Sequence, residues 1–386
     1  MTTETHRTHN SDELKIAHFS TVHLRDDSRI RSKMMSSIHK RFPGHVKLFV
    51  QDGLGDEIDS RDGYQVIDTG QRLSRLKRMS FGGWRMFRAI LRARPKIAHF
   101  HDPELIPWAM LLRVCGIKII YDVHEDYPEA VSQNFRLSSL VRRSLPPVVR
   151  FVEWVSTPFF SGIVTVTRQI EGRFPTGKTV LVRNWPIVSE YHAPSGTPMH
   201  DRPREVAYVG TITQNRNIVG MLDAIHSLRD ADVTLRLAGD FPVAVDEAVT
   251  RAHVGWDRVT FDGWVSRDGI AGILASTRAG LVVLKPIKHE TLSLPIKLFE
   301  YMAAGVPLIS SDFPLWREII DDVGCGLLVD PLKPDEIAEA IRWMVDNPDE
   351  AAEMGKRGRD AVLTRYNWEQ EADVLYQLYK SILEPA

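Results

Sequence analysis

The sequence predicts an α/β protein with two doubly wound parallel sheets, one in each half of its 386 residues. Short runs rich in β-branched residues alternate with helical stretches of about 10 to 20 residues, which is typical of parallel strands covered on both faces. A segment rich in Pro, Gly and Ser at 194–203 interrupts this alternation, which restarts after it. Two such units on either side of one linker indicate two domains.

The candidate strands come in two sets of six. The first set precedes the linker and lies at 15–20, 46–50, 96–101, 118–123, 162–167 and 179–184. The second set follows the linker and reads EVAYVG, TLRLAG, VTFDG, GLVVL, PLIS and GLLVD. Ligands of doubly wound sheets bind beyond the carboxyl ends of the strands, so we expect functional residues directly after these runs.

The composition is that of a globular protein, with 43% hydrophobic and 26% charged residues. This balance excludes collagen-like and mainly disordered chains. Residues 1–13 lack the apolar core of a signal peptide, and we expect a disordered tail there. No run of about 18 apolar residues marks a membrane span, so we expect a cytoplasmic protein. Cys115 and Cys325 stand alone, without the spacing of a zinc module.

Charge divides the chain into a basic and an acidic half. Residues 1–200 contain 29 Lys and Arg against 20 Asp and Glu, and residues 201–386 contain 20 against 30. The segments 71–96 and 136–160 mix Arg and Lys with Trp, Phe and Leu, which is typical of helices in a bilayer interface. We therefore expect peripheral attachment to an anionic membrane surface and no binding of nucleic acid. The alternative is a solvated face at 71–96 and a covered helix pair at 136–160.

The segment 285–310 predicts a short helix that follows the strand GLVVL. Pro295 stands near its start, good helix formers continue through Ala304, and Gly305 follows. Ser293 is expected to cap the helix. The free N–H groups of the first turn and the positive end of the helix dipole favour an anion at this position.

Two charged side chains share one face of this helix. Lys297 and Glu300 are three residues apart, so an ammonium and a carboxylate point the same way. Together they would suit a phosphate and a vicinal diol. The alternative is an ordinary exposed ion pair.

Several motifs in a fixed order resemble one enzyme family. They are YVGTITQNRN, LRLAGDF, VTFDGWV, KLFEYMAAGVPLI, WREIIDDVGCGLLVDPLKPDEIAEAI and the terminal RYNWEQEADVLYQLYKSIL. Together they resemble the family 4, or group 1, retaining glycosyltransferases of the GT-B fold. The resemblance implies two Rossmann-like doubly wound parallel-sheet domains that face each other across a cleft. An acceptor-binding domain would span 14–195 together with the terminal helix at about 368–386, and a donor-binding domain would span 203–367.

The resemblance implies a donor-sugar region around the short helix. Glu300 takes the place of the family's second signature Glu, which accepts hydrogen bonds from the donor ribose. The first signature Glu would stand at Leu292. Contacts to the transferred sugar would therefore fall to neighbouring groups, which are Glu290, His289 and the backbone N–H groups of Ser293 and Leu294.

The resemblance also implies the groups that hold the donor diphosphate. The family usually has an Arg and a Lys in the loop after the strand EVAYV, and this chain has Thr211 and Arg216 at those positions. Arg216 keeps one positive charge as a bidentate phosphate ligand, and Lys297 would supply the second. The backbone from Gly263 to Val265 corresponds to the region that lines the nucleotide base.

Histidines at the ends of the predicted strands 96–101 and 118–123 provide candidates for the reacting centre. In the family the His after the second of these strands lies by the bond that is cleaved, so His124 is the first choice for the catalytic residue. His101 and Asp102 would lie on the acceptor side. His99 and His101 alternate to the same face, and the alternative for both is a buried core histidine. They would form a metal site only with a third ligand such as His124 or Asp102.

The loop after the first strand resembles a branch of the family that reads H-x-x-x-D-x-R-I. Here these residues are His23, Asp27, Arg29 and Ile30. His23 and Arg29 are therefore expected on the acceptor side, with Arg29 reaching a phosphate or the acceptor. The alternative for Arg29 is a solvated pair with a neighbouring Asp at a helix start.

The resemblance implies a hexosyltransferase that uses a UDP- or GDP-linked sugar, retains anomeric configuration and acts on a glycan or polyprenyl-linked acceptor in cell-envelope polysaccharide assembly. It implies no cofactor and no metal. Two alternatives remain open. One is a sugar-nucleotide epimerase of the same fold, and the other is a noncatalytic sugar-nucleotide-binding partner.

Overall fold

The computed structural model describes residues 14–132, 138–191 and 197–384, without the side chains of Ala130 and His289. The chain divides into two compact units. The first comprises Met1–Asn184 with Glu369–Ala386, and the second comprises Trp185–Trp368. The predicted tail at 1–13 lies outside the described residues, as do the first residues of the linker and of the segment 136–160.

The first unit contains an eight-stranded sheet in the order β3-β4-β2-β1-β5-β6-β7-β8. Its pairs are parallel except β3 with β4. The strands are β1 Ile16–Phe19, β2 Val46–Val50, β3 Glu57–Ile58, β4 Gln65–Asp68, β5 Ile97–Phe100, β6 Lys118–Val123, β7 Gly162–Thr165 and β8 Thr179–Leu181. The helices are α1 Ser36–Arg41, α2 Arg75–Lys77, α3 Gly83–Ala93, α4 Ile106–Val114, α5 Tyr127–Ser132, α6 Ser139–Ser156 and α7 Arg168–Glu171.

The second unit contains a six-stranded sheet in the order β11-β10-β9-β12-β13-β14, and all of its pairs are parallel. The strands are β9 Glu205–Val209, β10 Thr234–Ala238, β11 Val259–Gly263, β12 Ala279–Val282, β13 Leu308–Ser311 and β14 Gly326–Val329. The helices are α8 Ile218–Ser227, α9 Ala244–Arg251, α10 Arg267–Ser276, α11 Lys288–Thr291, α12 Ile296–Ala303, α13 Pro314–Val323, α14 Pro334–Asp346 and α15 Pro348–Thr364. The last helix, α16 at Trp368–Leu383, belongs to the first unit from Glu369 onward.

The cores explain why the sheets form. The strands β1, β5, β7, β9 and β12 are buried along their whole length, which requires helices on both faces of each sheet. The second unit accordingly has two apolar clusters, one on each face of its sheet, with Trp316 buried in one and Tyr208 in the other. The predicted α/β class with two doubly wound parallel sheets is confirmed.

The twelve predicted runs all contain a strand, and two short strands were not predicted. The predicted helix after GLVVL is α12, and Gly305 follows it with a positive φ of 69°. The expected cap by Ser293 is wrong. Pro295 occupies the N-cap position, and the Ser293 hydroxyl donates to the carbonyl of Glu290 instead.

Candidate functional site

The first candidate site lies in the second unit, where β9 and β12 end. The loop after β12 donates the Lys285 N–H to the carbonyl of Asn215 in the loop after β9 (3.2 Å), which holds the two loops together. The Lys297 Nζ donates to the Tyr208 hydroxyl (2.9 Å) and lies 4.0 Å from the centre of that ring. Gly210 permits this approach because an added Cβ would lie 2.9 Å from Nζ.

Arg216 and Glu290 meet at the same place. An Nη1 of Arg216 donates to Oε2 of Glu290 at 3.0 Å, so the predicted diphosphate ligand and the predicted sugar contact form an ion pair. The Glu290 side chain is buried, whereas 31% of the Arg216 side chain is exposed. Burial and the charge of Arg216 lower the pKa of Lys297 to about 7, against the opposing charges of Glu300 and Glu290. Lys297 is therefore poised to gain a proton when an anion arrives.

Glu300 is half-buried and has a phenol as its neighbour. Burial and the charge and hydrogen bond of Glu300 raise the pKa of Tyr191 far above its ordinary value. Within the described ranges Lys297 and Glu300 do not form an ion pair, so the ordinary i,i+3 pair expected as the alternative is absent. The Tyr301 hydroxyl accepts the backbone N–H of Val209 at 2.8 Å and thus fastens α12 to the end of β9.

The remaining predicted donor residues are near these groups in the sequence. Their contacts are mainly backbone hydrogen bonds and packing on the core. Thr211 is exposed, and its carbonyl accepts the Tyr208 hydroxyl (2.8 Å). Gly263 has a φ of 67° and accepts the Gly239 N–H at 2.7 Å, while Val265 packs on the core. Leu294 packs on the same core, and 46% of Leu292 is exposed. The side chain of His289 lies outside the described part of the structure.

A chain of buried hydrogen bonds occupies the first unit. Asp122 only accepts, so it takes the Nδ1–H of His101 (3.0 Å), and the Nε2 of His101 then accepts from Nδ1 of His18 (3.0 Å). His18 Nε2 accepts the Tyr379 hydroxyl (2.8 Å), whose oxygen accepts from Nδ1 of His99. Each bond fixes the tautomer of the next histidine. Burial lowers the pKa of His18 and of His99 well below the ordinary value, so both are neutral.

Arg29 is not free to reach a phosphate. Its guanidinium is buried and bonds both oxygens of Asp122 (3.1 and 3.0 Å) and the carbonyl of Val182 (3.1 Å). The expected solvated pair is also wrong, because Asp27 uses its side chain to cap the backbone N–H groups of Arg29 and Ile30. Burial opposes the negative charge of Asp122, but Arg29 and His101 hold its pKa well below the ordinary value.

Asp102 is a structural acceptor for the loop after β1. One of its oxygens accepts the backbone N–H of Thr21 (2.6 Å), that of Val22 (3.2 Å) and the hydroxyl of Ser20 (2.9 Å). His101 and Asp102 are both fully buried. For His101 this agrees with the alternative of a buried core histidine. These contacts fix the loop that carries His23.

His23 and His124 lie against each other. Their Nε2 atoms are 2.9 Å apart, and the Nδ1 of His23 lies 3.0 Å from Oδ2 of Asp27. The Nδ1 of His124 is buried without a hydrogen-bond partner in the described chain and lies 3.7 Å from Oδ2 of Asp122. Only 17% of the His23 side chain and 10% of the His124 side chain are exposed.

Three of these groups lie close enough to be considered as metal ligands. In the described part of the chain His99, His101 and Asp122 offer one ligand atom each, all within 4.8 Å of one another. The third member of this group is Asp122 and neither His124 nor Asp102. Both ring nitrogens of His101 already take part in hydrogen bonds, and Arg29 neutralises Asp122. His99 keeps one buried ring nitrogen, Nε2, without a hydrogen-bond partner in the described residues, so the arrangement offers one free ligand atom and not the three that a metal site normally needs.

Sequence reasoning missed the residues that position the site. Asp122, His18 and Tyr379 hold the buried network, and Tyr208 and Tyr191 contact the two charged groups of α12. The sequence does indicate a partner for Asp122, because an acidic residue inside the largely apolar strand KIIYDV needs a buried partner. The tyrosines gave no such indication, since tyrosine is common in buried strands.

Two α/β units, each built on a mainly parallel sheet, are typical of the GT-B fold. Solved structures agree with this assignment. Sucrose-phosphate synthase from Thermosynechococcus elongatus has a TM-score of 0.73 and 19% identity, covering 97% of this chain and 100% of that one. Anabaena HepE in complex with UDP-glucose has a TM-score of 0.70 and 13% identity, covering 95% and 100%. The predicted GT-B fold is therefore confirmed.

Sequence comparison supports the predicted class of enzyme, a glycosyltransferase. Residues 194–361 match the family model of glycosyl transferases group 1. Alpha-D-kanosaminyltransferase of Streptomyces kanamyceticus is 28% identical over 187 residues, which are 48% of this chain and 47% of that protein. The chain thus matches about half the length of this relative, and the segment that matches the family model includes the candidate donor residues Arg216, Glu290, Lys297 and Glu300.

Proposed function

We propose that the protein transfers a hexose, or a derivative of one, from a nucleotide-diphosphate sugar to a hydroxyl of a glycan or polyprenyl-linked acceptor. The group of Arg216, Lys297 and Glu300 after the parallel strands β9 and β12 carries this proposal, because it lies within the segment that matches the family. Two cations suit a diphosphate, and a carboxylate suits ribose hydroxyls. HepE was solved with UDP-glucose, which supports a nucleotide-diphosphate sugar as the donor, and we propose a UDP- or GDP-linked one.

In the proposed reaction, the positive charges of Arg216 and Lys297 in the second unit act when the glycosidic C–O bond breaks. Arg216 exchanges its bond to Glu290 for the donor diphosphate, and Glu290 becomes available for sugar hydroxyls. Arg216 and Lys297 then stabilise the negative charge that develops as the glycosidic C–O bond breaks. The acceptor hydroxyl attacks from the face that the phosphate leaves and gives its proton to the departing phosphate oxygen, so the new C–O bond forms with retained configuration. These cations take the role that a metal would play, and we propose no cofactor.

The first unit contributes the acceptor-side groups in this proposal, with His124 as the catalytic residue. A polyprenyl-linked acceptor would place the reaction in cell-envelope polysaccharide assembly. Two other functions fit parts of the sequence. A GT-B epimerase would release free sugar without an acceptor, and a noncatalytic partner, suggested by Leu292 and Thr211, would bind the donor without turnover. Incubation with UDP- and GDP-sugars separates the three, because only a transferase releases nucleotide in proportion to acceptor.

Replacing Glu300 by Ala is expected to weaken donor binding and turnover at least about tenfold. The lost charge-assisted hydrogen bonds to ribose account for roughly 1.4 kcal/mol or more. Calorimetric titration with UDP and GDP measures the effect, and Glu339→Ala on the exposed face of α14 is the control. An unchanged donor dissociation constant in Glu300→Ala would remove Glu300 from the donor site.

We also propose that the first unit attaches to an anionic lipid bilayer. No helix among the described residues is both long and apolar enough to cross one. The proposed surface consists of α2, α3, α4 and α6, and α4 packs against both α3 and α6. Within it, α6 is one helix with only Glu153 and Ser156 buried, which argues against the covered helix pair at 136–160. Exposed apolar side chains cover these helices, among them Leu76, Phe81, Trp84, Leu111, Val114, Leu140, Val148, Phe151 and Trp154.

Unpaired cations accompany these apolar side chains. Arg85, Arg88 and Arg92 follow one face of α3 and, as far as the structure describes, form no ion pair. Together with Trp84, Thr69 and one acidic residue, Asp68, they line a groove of about 230 Å³. The Arg85 and Arg88 guanidinium groups lie over the rings of Phe81 and Trp84. Guanidinium groups without a carboxylate partner suit the phosphate of a lipid headgroup, and the aromatic side chains suit the interface.

Replacing Arg75, Lys77 and Arg88 by Ser is expected to weaken binding to vesicles with anionic lipid about a hundredfold, at roughly 1 kcal/mol for each charge. Arg78 is unsuitable for this test because it pairs with both oxygens of Glu104. Co-sedimentation at rising salt measures the effect, with Lys40, Arg168 and Lys380 replaced by Ser as the control of equal charge. Equal recovery with anionic and with neutral vesicles would contradict the role of the anionic surface, and recovery no greater than without vesicles would rule out membrane attachment.

A further inference from the structure

The contact between His23 and His124 restricts where protons reside. Their Nε2 atoms are 2.9 Å apart, so one hydrogen lies between them. A hydrogen on each nitrogen would clash, and no hydrogen would leave two lone pairs facing each other. Whether Nε2 of one ring carries a hydrogen therefore decides whether Nε2 of the other ring does.

The carboxylates beside the pair select between two arrangements. Asp27 lies 3.0 Å from the Nδ1 of His23, which must donate to it. If both rings are neutral, the shared hydrogen belongs to His124, and the bare Nδ1 of His124 faces Asp122 Oδ2 at 3.7 Å. If His23 carries both hydrogens, its Nε2–H donates to His124, and His124 turns an Nδ1–H toward Asp122. A pair with one positive charge, on either His23 or His124, leaves no lone pair facing a carboxylate, and the groups around the pair favour the arrangement with the charge on His23.

The charged groups around the pair favour the same arrangement. Burial opposes the charge on His23, but the hydrogen bond to Asp27 and the charges of Asp102 and Glu125 raise the pKa of His23. The Oδ1 of Asp102 lies 3.7 Å from His23 Nε2 and is buried without a hydrogen-bond partner in the described residues.

His124 has the opposite surroundings. Burial lowers the pKa of His124 to about 4 even though Asp122 opposes this, and the charges of His23, Arg29 and His101 act in the same direction as burial. His124 is accordingly the neutral member of the pair.

We propose that His23 is a positioning residue for His124, and that the two form a dyad with one shared proton and one positive charge between Asp27 and Asp122. This inference rests on the proposed function, in which His124 contacts the substrate. The dyad keeps His124 neutral and in one tautomer, with an imidazolium behind it. An anionic oxygen that approaches His124 would be stabilised by this charge.

Nitrogen-15 NMR of the histidines tests the dyad in the protein without donor or acceptor. We expect His23 to be protonated on both nitrogens and His124 on Nδ1 alone below pH 6.5, with the pKa of His23 above the ordinary value of 6.5. Asp27→Asn keeps a side-chain oxygen for the helix cap but removes one carboxylate, and it should lower the pKa of His23 by about one pH unit. Asp26→Asn, whose side chain is exposed, is the matched control and should leave that titration unchanged. Titration of His23 at or below 6.5, or no response to Asp27→Asn, would overturn the dyad.

The dependence of kcat on pH gives the second readout. The alkaline limb should follow the loss of the dyad proton, shift by about one unit toward acid in Asp27→Asn, and vanish in His23→Gln. A merely structural role for His23 would lower kcat equally at every pH and would contradict the proposal. If the NMR result holds but no transfer occurs, the proposed function fails and the dyad stands. If transfer occurs but His23 is neutral, the dyad fails alone.

Discussion

Asp122→Asn is expected to destabilise the first unit by roughly 3–5 kcal/mol, the usual loss when one partner of a buried ion pair is removed. Asp122 is fully buried and receives three hydrogen bonds from Arg29 and His101. An amide in its place leaves the buried Arg29 guanidinium without a counter-charge. It also keeps only one acceptor oxygen, so its NH2 group faces Arg29 or His101 where the carboxylate accepted a hydrogen bond. Both losses act on the same sheet.

Hydrogen exchange measures this effect within one molecule, because the two units provide separate readings. Peptides of β5 and β6 should lose about a hundredfold or more of their protection, whereas peptides of β9 and β12 should keep theirs. Asp373→Asn, which breaks the exposed pair with Arg41, is the matched control and should change protection little. The double variant Arg29→Met, Asp122→Asn should lose less than the sum of the two single variants. Additive losses would show that the charge pair does not hold this sheet.

The sequence was sufficient to predict the sheets because their strands are buried on both faces. Such strands read as continuous apolar runs, and all twelve predicted runs contain one. The strands β3 and β4 were not predicted because they are short and half-exposed, with only two apolar residues in QVID. The cap of α12 was predicted wrongly because Pro295 already fixes the entry into the helix.

The candidate residues were found more easily than their partners. Position after a strand pointed to Arg216 and His124, and each lies where a strand of its own sheet ends. The partner of Arg29 lies 93 residues away and that of Arg216 74 residues away, distances at which local patterns carry no information. The pairing of Arg216 with Glu290 in particular depends on the meeting of two loops. The roles of these residues in catalysis stay predictions.

The affinity for nucleotide diphosphate is expected to fall as pH rises above 7, by up to about tenfold for each pH unit. Lys297 gives this result because its pKa is lowered to about 7 by burial and by the charge of Arg216. A bound diphosphate favours the ammonium and raises that pKa again. Between the two values binding takes up a proton, so affinity is full below pH 7 and declines above it until the pKa of the complex is reached.

Lys297→Met tests this directly because it keeps the length of the side chain and removes the titrating group. We expect weaker binding of UDP and GDP below pH 7 and a loss of the slope above it. Calorimetric titrations in buffers of different ionisation heat count the protons taken up, and Lys285→Met in the neighbouring loop is the control. The free nucleoside should show no such slope in the unmodified protein, because it has no phosphate for Lys297 to meet. A slope that persists in Lys297→Met would assign the proton to another group and leave Lys297 as a partner of Tyr208 alone.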